Sequence, residues 1–125
     1  MGEEIRVLVV DEDEDVLELT ETFLEREADA LSVLTEPSAS AAVDRATDGD
    51  VDCVVSDYRM PEMDGLELFE AVRERDGDLP FFLVTAAADE KTLNRAESAG
   101  VTGFIQKGAG TDHYTALANR IVDAV

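Results

Sequence analysis

Short apolar runs and longer amphipathic stretches alternate along the whole chain. The runs are Ile5 to Val10 (IRVLVV), Ala30 to Leu34, Val51 to Ser56, Pro80 to Val84 (PFFLV) and Thr102 to Gln106. Each has the length and β-favouring composition of a strand, and the near-continuous apolar character of IRVLVV suits a strand covered on both faces. Val16, Leu17, Leu19, Phe23 and Leu24 recur at helical spacing, so a first helix runs to about Glu27. Pro37 suits the first turn of a second helix, with Ala39, Ala42, Val43 and Ala46 as a weak apolar stripe. Asp64, with Glu67 three residues later, forms a capping-box pattern for a third helix from Gly65, whose Leu66, Phe69 and Val72 share a face. A fourth helix spans Asp89 to about Ala99 and stops at Gly100. It has Leu93 as its one clear large apolar residue and is expected to be the least firmly packed. Thr111 caps the last helix, whose inner stripe is Tyr114, Leu117, Ile121 and Val125.

Strands alternating with helices, without repeat or linker, predict an α/β fold: a doubly wound parallel sheet of five strands with five helices on its two faces. A length of 125 residues fits one domain covering 1–125. In such a sheet the carboxyl ends of the strands lie along one edge, where ligands bind. Four of the five strand ends carry chemistry: Asp11 and Glu12, Asp57, Thr85 and Lys107. The topology therefore gathers three carboxylates, a hydroxyl and an ammonium. Clustered carboxylates repel, and a hard cation such as Mg²⁺ (or Mn²⁺) would compensate them. A carboxylate nucleophile beside a cation, a lysine and a hydroxyl is suited to accept a phosphoryl group, since that transfer needs positioning and charge neutralisation above all.

Charge narrows the partners. Thirty acidic residues against ten basic ones give a net charge of −20, which repels phosphate backbones and argues against direct nucleic-acid binding. Few lysines, many acids and many alanines resemble the proteins of salt-loving organisms. No apolar run reaches the length of a membrane span, and the acidic start lacks the features of a signal peptide, so a cytoplasmic protein is expected. Cys53 lies in the most apolar run and reads as a small buried hydrophobe. Asp13, Glu14 and Asp15 read as a solvated charge run. His113 is expected to be exposed near a helix start, and a single histidine without a cysteine partner is no metal site.

In their order and spacing, Asp11-Glu12 after the first strand, Asp57 within DYRMPEMDG, Thr85 within LVTA and Lys107 after GFIQ resemble the receiver domains of two-component response regulators, chemotaxis regulators among them. The resemblance covers about Ile5 to Val125. It implies a flavodoxin-like strand order, 2-1-3-4-5. It implies that Asp57 accepts a phosphoryl group from the phosphohistidine of a sensor histidine kinase or histidine phosphotransfer protein. The domain would catalyse its own phosphotransfer and slow dephosphorylation without being an enzyme in the usual sense. Mg²⁺ would be held by Asp11, Glu12, Asp57 and the backbone carbonyl of Arg59. Thr85 and Phe104 would switch an interaction face toward a downstream protein, and Arg59 and Ala87 would tune the phosphoryl lifetime. The sequence departs from the family at Lys107-Gly108, where Lys-Pro is usual. No DNA-binding or catalytic output is expected within these residues, and the target is not legible.

Two other readings stay open at this level. Asp11-Glu12-Asp13 after the first strand, with Thr85 and Lys107, also resembles the haloacid-dehalogenase phosphohydrolases, in which Asp11 would be the nucleophile; that leaves Asp57 unexplained. A degenerate receiver acting only as an interaction module is the other.

Overall fold

Side chains alternate across a β-strand, so apolar residues at every position require cover on both faces of the sheet. The computed structural model, which describes residues 4–86, 89–108 and 110–125, has that form. Its elements alternate strictly: β1 (Ile5–Val10), α1 (Glu14–Glu27), β2 (Leu31–Glu36), α2 (Ala39–Thr47), β3 (Cys53–Asp57), α3 (Gly65–Arg75), β4 (Phe81–Thr85), α4 (Glu90–Ala99), β5 (Gly103–Gln106) and α5 (Asp112–Ala124). The strands form one parallel sheet in the order β2-β1-β3-β4-β5.

The strand alternation divides the core in two. Val7, Val9, Cys53, Val55, Phe82 and Val84 pack with Leu17 and Leu24 of α1 and with Leu117 and Ile121 of α5. Leu8, Val10, Val54, Phe81 and Leu83 pack on the other face with α2, α3 and Ala96 of α4. Ala96 is the one buried residue of α4, whereas α3 buries five. The weak packing expected of the fourth helix follows from that difference.

The helix caps fall largely where the sequence puts them. Asp64 and Glu67 form a reciprocal capping box at α3. Asp89 caps α4 by accepting from the Thr92 N–H, and Gly100 ends that helix at φ +91°. Asp13 belongs to the acidic run, yet it is the N-cap of α1 and accepts from the N–H groups of Asp15 and Val16.

Several boundaries differ. Parallel pairing of Val10 with Glu36 and of Asp57 with Val84 extends β2 and β3 beyond their apolar runs. Ser38 caps α2 by accepting from Ala41 N–H, which leaves Pro37 one residue outside the helix. Leu19 is 51% exposed. It lies two residues from Leu17, about 200° around the helix from the inner face. Thr111 occupies the N-cap position of α5 but makes no side-chain cap bond, and Val125 lies past the helix end with 52% exposure.

Candidate functional site

Four strand ends deliver the site. Asp11 follows the last residue of β1 and is buried, and its Oδ1 accepts from the Asp13 N–H at 2.9 Å, which ties the carboxylate to the start of α1. Asp57 ends β3 and is half-buried. Strand alternation sends its side chain to the same face as Val55, toward α1 and α5. The loop after it is anchored twice: Tyr58 N–H donates to Val84 O at 3.0 Å, and Gly65 N–H donates to Tyr58 O at 2.7 Å. Thr85 ends β4 and is buried. The Lys107 N–H donates to the Thr85 carbonyl at 2.8 Å, so the lysine leaves β5 held against β4.

Lys107 and Asp11 approach as a loose ion pair, with Nζ 3.8 Å from Oδ2. Asp11, Asp57 and Lys107 line one small cavity of about 20 Å³ beneath the sheet edge, together with Thr20, His113 and Tyr114. Burial pushes the Asp11 carboxyl above its ordinary value; the Asp13 N–H opposes this, the Asp57 charge adds to it, and Lys107 opposes it. Asp57 is also raised, again by burial first, with Lys107 and the backbone N–H groups of Tyr58 and Arg59 pulling it down and Glu12 pushing it up. Asp11 thus feels the charge of Asp57, Asp57 feels that of Glu12, and one ammonium serves both aspartates. A nucleophilic carboxylate held beside a cation and backbone donors can attack phosphorus, and a divalent cation would relieve the repulsion. Among the described residues, no three His, Cys, Asp or Glu side chains converge as a ready metal cage.

Glu12 is exposed, and its charge reaches Asp57. Arg59 is exposed too; its charge helps hold the Asp89 carboxyl below its ordinary value, after the hydrogen bonds from Thr92. Phe104 is half-buried and packs against the cluster on the α2–α3–α4 side, away from the cavity. Ala87 lies outside the described residues. Cys53 is fully buried, and burial pushes its thiol up, so it is an inert hydrophobe. The Lys107–Gly108 bond is trans.

His113 differs from the expectation of an exposed surface residue. It is half-buried, its ring lies 4.0 Å from Tyr114, and Tyr114 in turn stacks on Phe23 of α1 at 5.0 Å. Helix α5 leans on α1 at this point and carries His113 under the sheet edge. Sequence spacing offered no signal for this, because His113 belongs to no apolar stripe.

The geometry has counterparts among known proteins. The family model for "Response regulator receiver domain" matches residues 7–119. The chain is 38% identical over 81 residues to the Bacterioopsin transcriptional activator of Halobacterium salinarum, covering 65% of this chain and 12% of that protein. It is 28% identical over 101 residues to the Response regulator SaeR of Staphylococcus aureus, covering 81% of this chain and 43% of that one. The chain therefore spans less than half the length of these relatives. Among solved structures, the chemotaxis protein CheY4 of Vibrio cholerae superposes with a TM-score of 0.82 at 22% identity, over 94% of this chain and 98% of that one. The receiver domain of HemR from Leptospira biflexa does so with a TM-score of 0.83 at 28% identity, over 95% of this chain and 94% of that one.

Proposed function

The chain belongs to the response regulator receiver domain family of two-component signalling, and from that premise we propose that Asp57 is its phosphoryl acceptor. One observation carries the reading: the Asp57 carboxylate and the Lys107 ammonium line one cavity at the sheet edge and interact electrostatically. A carboxylate oxygen of Asp57 attacks the phosphorus of a phosphohistidine on a histidine kinase or phosphotransfer protein. The P–O bond forms as the P–N bond breaks, and the electron pair stays on the departing imidazole nitrogen. Lys107 neutralises charge on the phosphoryl oxygens as a point cation. Thr85, at the end of the neighbouring strand, offers its hydroxyl to one of them.

Receiver domains generally bind Mg²⁺, and the donor set here suits it: hard carboxylate oxygens of Asp11, Asp57 and Glu12 with the Arg59 carbonyl. When bound, the cation supplies charge neutralisation to the acids and to the phosphoryl oxygens. In the proposed switch, Thr85 follows the phosphoryl group and Phe104 repacks on the α4–β5–α5 side, changing the surface offered to a downstream protein. By their sequence positions, two residues after Asp57 and two after Thr85, Arg59 and Ala87 would tune how long the phosphoryl group survives. Among the described residues, no helix is long and apolar enough to cross a membrane.

The test is modification by acetyl phosphate with Mg²⁺, located by peptide mass mapping in the native protein and in the Asp57→Asn and Asp11→Asn variants. Modification should disappear in Asp57→Asn. If only Asp11→Asn abolished it, Asp11 would be the nucleophile, as in the phosphohydrolase reading. No modification of the native protein at all would leave an interaction module.

A further inference from the structure

The cavity behind Lys107 contains a group that the phosphoryl-acceptor chemistry does not use. His113 Nδ1 is buried and has no hydrogen-bond partner among the described residues. A buried polar atom left unpaired costs enough that it calls for a partner. His113, Lys107, Asp11 and Thr20 supply polar groups to the same space of about 20 Å³, whose remaining walls are mostly apolar, Val9, Val16, Val84 and Leu117 among them; one water needs roughly 10–15 Å³ and two or more polar neighbours. The Lys107 ammonium carries three donors, and its Asp11 contact at 3.8 Å is too long for a direct hydrogen bond. Burial first and the Lys107 charge second push His113 below its ordinary value, against a backbone hydrogen bond at Gly110 and the Asp112 charge; in the neutral form one ring nitrogen is an acceptor. The His113 ring lies tilted against Tyr114, which stacks on Phe23 of α1, and this holds the imidazole near α1.

We propose that His113 is a positioning residue for Lys107: one water in this cavity accepts from the ammonium and donates to His113 Nδ1, holding the lysine between Asp11 and Asp57. Without this relay the ammonium collapses onto Asp11, the more buried acid, and is less available to a phosphoryl group on Asp57. The functional consequence rests on Asp57 being the acceptor; the relay itself does not.

The two are tested separately. ¹⁵N NMR of the imidazole in the unmodified protein reads the relay without any reaction. Nδ1 should be unprotonated at neutral pH, and its resonance should shift when Lys107→Met removes the donor. An unmoved resonance, or a protonated Nδ1, overturns the proposal. The rate of modification by acetyl phosphate reads the consequence. His113→Phe keeps a ring but loses the acceptor and should slow modification roughly tenfold. His113→Gln, which restores an acceptor, should recover most of the rate. A folded His113→Phe protein reacting at the native rate, or a Gln variant as slow as Phe, refutes the positioning role. If native protein were not modified on Asp57, the acceptor assignment would fail while the nitrogen measurement still decided the relay.

Discussion

A side chain at Gly65 would collide with the backbone of Asp57: a Cβ there would stand 2.7 Å from the Asp57 carbonyl oxygen and 2.5 Å from Leu83 Cδ2. The first turn of α3 therefore presses directly on the strand end that carries the candidate acceptor. Leu83 could give way, but the Asp57 oxygen belongs to the chain and cannot. Gly65→Ala should destabilise the fold by roughly 2–3 kcal/mol through overpacking. It should also slow modification of Asp57 in molecules that remain folded. Denaturant titration and acetyl phosphate kinetics read the two effects independently.

Stability should change with pH in a direction set by Asp11 and Asp57. Asp11 and Asp57 both have raised values in the folded state, burial first among the causes. The stability they contribute is fully present below the ordinary carboxylate range and is lost as pH rises through their folded values. Ionising either one in the folded state therefore carries a cost. Asp57→Asn should raise the thermal midpoint at pH 7 by a few degrees. That advantage should shrink toward acid, where the native carboxyl is protonated. A midpoint for Asp57→Asn that is equal to or lower than native at pH 7 contradicts this.

Mg²⁺ should recover what carboxylate repulsion costs. A ligand that binds only the folded state adds about 2.7 kcal/mol at a hundred times its Kd. Native protein should gain thermal stability on Mg²⁺ titration, beyond what an equal ionic strength of NaCl supplies. Asp11→Asn and Asp57→Asn should lose most of that gain.

Arg95 Nη1 donates to the Tyr58 hydroxyl at 3.1 Å, linking α4 to the residue after Asp57. Because α4 buries a single alanine, this bond is a large share of its tertiary attachment. Removing it with Tyr58→Phe should weaken local protection by about 1 kcal/mol. Hydrogen exchange should quicken roughly fivefold in α4, with little change in α1 or β1.

A net charge of −20 on 125 residues makes the folded state repel itself. The unfolding midpoint should rise steadily from low to molar salt. A flat dependence would count against a salt-adapted surface. Surface screening is largely complete by 1 M, where the Debye length is about 3 Å, so a further rise above that point would reflect salting-out of apolar surface.

Much of the site was legible because it follows from topology. Once strands and helices alternate, right-handed crossovers place every strand end on one edge. Asp11, Asp57, Thr85 and Lys107 were therefore neighbours before any distance was known. The cap at Asp64 was legible because capping is a local hydrogen bond between residues three apart. What failed was orientation. Leu19 matched a helical spacing yet faces solvent, because which side of α1 meets the sheet depends on α5. Val125 continued a stripe that the helix did not reach.

The sequence alone determined the order of elements and which polar residues gather along one sheet edge as the candidate site, because period, caps and chain connectivity are local or topological. The tertiary structure decided which carboxylate Lys107 meets, how far Gly65 presses on Asp57 and where His113 goes. Those depend on α5 settling against α1 and α3 against β3, and such packing distances are set by side-chain volumes far apart in the chain.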